Sequence, residues 1–408
     1  SSAFLLGLAL GIYGLTQAIF QIPLGLLSDK IGRRPVILGG LLLFILGSVV
    51  AANADSAIGV VAGRALQGMG AIASTLMALV TDLTAEQNRT KAMASIGGSI
   101  GVSFAIAMVL GPVVASNYGM PGIFWLTALL GLIGILIIFK AIPKTHSIRK
   151  NRETQTDLQQ LGTLLCEPSL IRLNIGIFFL HLTLMAAFVV IPSILVHQLS
   201  INPDQLWWVS LSVLVGGFIA MLPAVILSER RNIQKQVFVS AVALMTLAMF
   251  VLGSSQSGFI IVLMLFIYFA AFNLLEALLP SWLSKVCPVG NRGTAMGIYS
   301  TCQFLGTFAG GILGGWALST IGTDGVFWLL AFMLLFWCFV ALTMTSPKPL
   351  QTLILHVEKT KTNEFIKSVS NIVGVEDILL IKGEDLAYIK VNKTLIDLES
   401  LQPFLNRK

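Results

Sequence analysis

Charge is scarce in this sequence: Asp, Glu, Lys and Arg make up 11% of its 408 residues, against about 25% in an average soluble domain. With 56% hydrophobic residues beside so little charge, an ordinary soluble protein is excluded. Paired cysteines are missing too. Cys166, Cys287, Cys302 and Cys338 are irregularly spaced, with no Cys-x-x-Cys and no histidine cluster to complete a metal site, so they read as unpaired thiols and neither metal nor cofactor is expected. No Gly-x-x-x-x-Gly-Lys-Ser/Thr phosphate loop occurs, which excludes an ATP-driven pump within the chain itself. Any uphill work must therefore draw on an ion gradient.

The charge that is present is unevenly placed. Of the 45 charged residues, 17 fall in the last 63 positions, and composition cuts the chain near Pro347 to Pro349 into an apolar body and a water-soluble tail. The net charge of +7 does not point to nucleic acid, because 9 of the 26 bases sit in that tail beside 8 acids. The body instead implies a lipid bilayer as its surroundings.

A helix crosses a hydrocarbon layer of about 30 Å with roughly 20 apolar residues. Eleven such stretches are expected, over 3–27, 35–52, 58–81, 92–115, 121–141, 170–196, 206–227, 236–253, 258–283, 294–319 and 325–345. Every second connection is basic: Lys30 with Arg33 and Arg34, Arg89 with Lys91, Lys140 to Arg172, Arg230 with Arg231 and Lys235, and Lys285 with Arg292. The positive-inside rule makes these loops cytoplasmic. The intervening loops hold no Lys or Arg, and Asp55, Asp204 and Asp324 in them are expected to cap helix N-termini. Ser1 is then outside and the tail inside. Within the spans this leaves one cation, Arg64, one deep acid, Glu276, and one histidine, His181.

The body repeats itself. Asn88-Arg-Thr-Lys-Ala-Met93 returns as Asn291-Arg-Gly-Thr-Ala-Met296, and Gly122-Ile-Phe-Trp-Leu126 as Gly325-Val-Phe-Trp-Leu329, both 203 residues on. Leu27-Ser-Asp29-Lys30 has a looser echo in Leu227-Ser-Glu229-Arg230. Two parallel halves follow: 1–142, then a cytoplasmic linker over 143–168, then 169–346, with a soluble domain over 350–408. The sixth span has no counterpart after Ser1, so a parent of six plus six helices is expected, with the first helix removed, disordered or not included in this numbering.

The first cytoplasmic loop, Gly25-Leu-Leu-Ser-Asp29-Lys30-Ile-Gly32-Arg33-Arg34, resembles the Gly-x-x-x-Asp-Arg/Lys-x-Gly-Arg-Arg/Lys loop of the major facilitator superfamily, and stands where that family has it. Gly63-Arg64-Ala-Leu-Gln67-Gly68 is similar to its Arg-x-x-Gln-Gly motif. Gly97, Gly98, Gly101, Gly111 and Pro112 resemble in part the glycine-rich motif of its drug:proton antiporters, departing from it at Val113 to Ser116. Close helix packing explains the same glycines. The whole arrangement is similar to bacterial transporters of this superfamily with an appended cytoplasmic domain. The resemblance implies a polytopic all-α membrane protein of the major facilitator fold, eleven of twelve helices present, in a bacterial inner membrane. It also implies a proton-coupled secondary transporter that exports small molecules by alternating access. A metabolite:proton symporter, and a non-transporting sensor that signals through the tail, are the alternatives.

The site expectations follow. By resemblance, Asp29 meets the start of the helix near Thr294 and gates the cytoplasmic side together with Gly25, Lys30, Gly32, Arg33 and Arg34; otherwise it is a solvated topology charge. Arg64 either snorkels to the outer headgroups or faces the cavity, where it serves a proton carrier or holds Gln67. His181 lies about 15 Å deep at 1.5 Å per residue, and imidazole chemistry suits a proton carrier. Glu276, with Asn273 one turn away on its face, is the other candidate. For each, a neutral or paired structural group is the alternative. Tyr13, Gln17 and Gln21 share a face and are expected to line the cavity, as are Tyr299 and Gln303 on a later helix. The tail reads as βαββα: a strand around 353–357, a helix over 362–372, strands near 375–382 and 386–391, and a short last helix. It resembles ferredoxin-like α+β metal-binding sheets without their cysteines, which leaves ligand sensing, regulation or self-association.

Overall fold

The structure, a computed structural model, describes residues 3–84, 86–142, 158–199, 201, 206–287, 292–346, 350–356, 369–370, 372–380, 386–392 and 395–396. Its body is helical: α1 (Ala3–Ile31), α2 (Arg33–Ala52), α3 (Ala57–Met69), α4 (Ala73–Leu83), α5 (Glu86–Ala141), α6 (Leu158–Cys166), α7 (Pro168–His197), α8 (Leu206–Arg230), α9 (Gln234–Leu252), α10 (Gly258–Val286) and α11 (Arg292–Leu342). Nine helical stretches among the described residues are long and apolar enough to cross a membrane. This is a membrane protein.

Several expected boundaries move. The first basic loop shrinks to one residue, Gly32, whose φ of 98° a side chain would resist, so Asp29 and Lys30 belong to the last turn of α1. The span expected over 58–81 is broken at Gly70–Ile72 into α3 and α4. Gly70 lies backbone to backbone against Gly40 of α2, an approach that leaves no room for a side chain. Ser56, not Asp55, caps α3: its Oγ accepts from the Gly59 N–H at 3.1 Å. Asp324 lies inside α11, two residues after the break at Gly322, and no side-chain cap from it is seen among the described residues, whereas Asp204 is outside them. The linker contributes α6, whose Leu164 is buried.

The apolar stretch Thr294–Leu342 has 49 residues, about 70 Å of helix if straight, more than twice a bilayer core. It leaves helical geometry at Gly322, and α5 does so at Gly119. The repeat is visible elsewhere in the backbone. Pro23 and Pro223 sit inside α1 and α8, and Ser28 and Ser228 each donate to the carbonyl three residues back at 2.7 Å.

The large core joins α7, α8, α9, α10 and α11, with Phe238 edge-on to both Trp282 and Trp337. Glycines set the closest helix approaches. Gly306, Gly310 and Gly314 lay one face of α11 on Phe178, Leu182 and Ala186 of α7. Gly311 and Gly315, on another face, meet Gly7 of α1. Thus α11 packs the second half against the first at the end of α1 remote from its basic terminus, and α5 with α8 and α1 with α7 also touch across the halves.

In the tail, β1 (Leu350–His356), β2 (Val375–Leu380) and β3 (Leu386–Asn392) form an antiparallel sheet in the order β1-β3-β2. Alternation along β3 turns Ala387, Ile389 and Val391 into a small core with Val369. Most of the helix expected over 362–372, and all of the expected last helix, lie outside the described residues.

Candidate transport site

Three helices of the second half converge on one polar cluster. His181 comes from the middle of α7, Asn273 and Glu276 from α10 at a spacing of three, and Tyr299 and Gln303 from α11 at a spacing of four; these spacings put each pair on one helix face. His181 Nε2 is 2.8 Å from Gln303 Nε2 and 3.8 Å from Glu276 Oε2. The edge of Phe272 closes one side of the imidazole, with centroids 6.0 Å apart. His181 is 13% exposed and Glu276 40%, yet the Glu276 Oε2 atom is itself buried. Glu276 therefore turns one oxygen inward toward the imidazole and leaves the rest of the group open.

The cluster is under-bonded. Among the described residues His181 Nδ1, Asn273 Nδ2, Glu276 Oε2 and Tyr299 Oη are buried without a hydrogen-bond partner. Each such group costs about 1–3 kcal/mol if nothing meets it. Native interiors avoid leaving several together, so a concentration of open donors and acceptors fits a place where a ligand or water completes the bonding.

The first half presents a second network. Tyr13, Gln17 and Gln21 share a face of α1 as expected from their spacing, but Gln17 and Gln21 are 6% and 1% exposed, buried rather than open to a wide cavity. Gln17 Nε2 donates to Tyr13 Oη at 2.8 Å, and both glutamines leave Oε1 unpartnered. Arg64 reaches inward from α3: Nε donates to the Ala9 carbonyl at 3.2 Å, Nη1 to Gln67 Oε1 at 3.0 Å, and the guanidinium lies 4.7 Å from the centre of the Tyr13 ring. Arg64 is thus hydrogen-bonded to Gln67. Gln67 Nε2 in turn donates to Ser48 Oγ at 2.7 Å, which Thr127 Oγ1 also meets at 3.2 Å. Ser48, Thr127 and Phe272 were not singled out from the sequence. A hydroxyl recurring inside apolar runs was the available signal for the first two.

At the basic end of α1 the signature loop is anchored at both arginines. Arg33 Nη1 donates to Ser28 Oγ at 2.6 Å. Arg34 Nη2 donates to the Phe139 carbonyl at 3.2 Å and its guanidinium stacks on that ring, a cation at the C-terminal end of α5 where the helix dipole favours one. Gly25 stands in ordinary contact with Ser74, and Lys30 is exposed. The Asp29 side chain, and the surroundings of Gly97 and Gly101, lie outside what the structure describes. Among the described residues nothing lies within 4 Å of where a Cβ would stand on Gly111, so no close packing is seen there, and Pro112 lies inside α5 beside it.

The profile of the Major Facilitator Superfamily matches the sequence twice in succession, over residues 1–174 and 173–381. The chain belongs to the major facilitator superfamily. It is 45% identical over 395 residues to the inner membrane transport protein YajR of Escherichia coli strain K12, covering 96% of this chain and 87% of that protein. The class B tetracycline resistance protein of Escherichia coli is a more distant relative, 29% identical over 157 residues, or 38% of each chain. The human organic anion transporter MFSD10 has the same fold, with a TM-score of 0.61 at 23% identity over 82% of this chain and 83% of that one. As a member of this superfamily the chain is a membrane transporter and not an enzyme.

Proposed function

We propose that this transporter exchanges protons for a small-molecule cargo and moves the cargo outward across a bacterial inner membrane by alternating access. The observation that carries the reading is the His181, Glu276 and Gln303 cluster: an imidazole 3.8 Å from a carboxylate, at mid-helix depth, with open bonding positions around both. Imidazole is the side chain whose charge changes near neutral pH, a carboxylate beside it can exchange a proton with it, and ionisable groups inside a membrane are costly unless they have work to do. Asn273, Tyr299 and Gln303 of the second half, with Tyr13, Gln17 and Gln21 of the first, supply polar contacts for cargo. Arg64 keeps its charge throughout and tunes the site through Gln67. Outward direction is supported by the likeness to YajR and the tetracycline resistance protein, an inner membrane transport protein and a resistance protein by name.

The loop from Gly25 to Arg34 is the inner gate in this reading. The tail is cytoplasmic; its β1-β3-β2 order suits a split βαβ, ferredoxin-like sheet, which serves ligand sensing or self-association rather than cargo movement.

Reconstitution tests the proposal. In proteoliposomes an imposed inward proton gradient should drive cargo out of the proton-poor side, and His181→Ala with Glu276→Gln should abolish proton-linked flux while the protein stays folded. Proton-linked flux surviving in the double variant places coupling elsewhere; cargo moving with the protons makes it a symporter; absence of all flux favours a sensor.

A further inference from the structure

We propose that Gln303 reads the protonation state of His181 and conveys it to the seam where α11 meets α1. The inference rests on the reading of His181 as a proton carrier, and concerns a residue that positions rather than carries the proton. A carboxamide nitrogen donates and does not accept, so its 2.8 Å contact requires a bare lone pair on His181 Nε2. In this arrangement the ring is neutral with its hydrogen on Nδ1, the buried nitrogen that has no partner. A proton arriving at Nε2 sets donor against donor. The contact then breaks in one of two ways: the carboxamide turns over to present Oε1, or the ring swings its new N–H toward the open Oε2 of Glu276, 3.8 Å away. Both movements change what Gln303 is bonded to.

Gln303 is well placed to pass that change on. Its carbonyl accepts from Thr307 Oγ1 at 3.2 Å. A Cβ added to Gly14 of α1 would lie 2.6 Å from the Phe304 carbonyl oxygen and 3.1 Å from Thr307 Cβ, so the α1 backbone rests on this very turn of α11. Gly11 then meets Phe308, and Gly7 meets Gly311. With glycine on the α1 side, no flexible side chain is there to absorb a rotation of α11. Titratable groups nearby among the described residues are Glu276, 3.8 Å from the imidazole, Tyr299 and Cys302 within about one turn of Gln303 on α11, Tyr268 on α10, and Tyr13, next to Gly14 on α1, with Arg64 against its ring. Tyr268 is turned to Thr183 and Tyr13 is held by Gln17. Glu276, whose carboxylate lies 3.8 Å from Nε2, is the group placed to share a proton with His181.

The test uses the full chain in lipid bilayers with ring nitrogen-15 histidine, the His181 signals being those lost in His181→Ala. Wild type at alkaline pH should show the Nδ1–H tautomer. Gln303→Leu, which removes the donor to Nε2, should lose that preference and move the pH profile of proton-linked flux to more alkaline pH by ~0.5 unit or more, the size of one hydrogen bond. Gln303→Glu, which accepts and cannot donate when ionised, should move it further. An Nε2–H tautomer in wild type overturns the proposal. So does an unmoved profile in folded Gln303→Leu when His181→Ala has lost proton-linked flux. If His181→Ala itself retains that flux, the reading of His181 as carrier has failed, and this proposal with it.

Discussion

Gly119 and Gly322, 203 positions apart, hold the same backbone conformation: φ 67° and ψ −172° in α5, φ 71° and ψ −176° in α11. The offset is that of the two sequence repeats. Each glycine stands where a non-basic loop was expected between two spans, and the turn is made in a region of backbone space that only glycine enters cheaply. The two halves thus share a hinge of the chain as well as motifs.

Gly119→Ala and Gly322→Ala should each lower stability by about 1–3 kcal/mol. Gly111→Ala, in open space with helical geometry, should be neutral or slightly stabilising. Thermal unfolding in detergent checks the contrast, and three equal effects would show that backbone conformation is not the cause.

Ser48→Ala removes the acceptor of a fully buried Gln67 amide. The expected loss is about 1–3 kcal/mol, with weaker transport because Gln67 no longer holds Arg64 in one place. Chemical denaturation measures the first and vesicle flux the second. An unchanged melting curve would mean that Thr127 or water replaces the hydroxyl.

Asp29→Asn should insert normally and transport at least about tenfold more slowly, a barrier change of roughly 1.4 kcal/mol, because it removes a charge needed in one state of the gate. Normal flux per folded molecule would reduce Asp29 to a topology signal.

Deleting residues 350–408 should leave proton-linked flux measurable while altering its rate, its salt response or the oligomeric state. The tail has its own small core around Val369 and Ile389 and holds none of the intramembrane ionisable groups. The comparison is made with the full chain in the same vesicles; complete loss of flux from an inserted, folded truncation would refute dispensability.

Much of the architecture was legible in the residues alone. Hydrophobic runs and the placement of Lys and Arg are imposed by the bilayer on each segment separately, so the apolar body and its repeat are legible in them, although Arg89 and Lys91, expected in a loop, lie inside α5. Helix spacing likewise put Tyr13 with Gln17, and Asn273 with Glu276, on common faces. What the tertiary structure decided is which faces meet. That His181 finds Gln303 as well as Glu276, that Arg64 turns to Gln67, and that Ser48 and Thr127 close that network depend on the rotation and crossing of each helix. Those are set by glycine contacts such as Gly7 with Gly311 and Gly310 with Leu182, pairings distant in sequence that no periodicity specifies. A different glycine contact, Gly70 with Gly40, lies at the break between α3 and α4, whereas the first loop turns at Gly32 through that residue's positive φ.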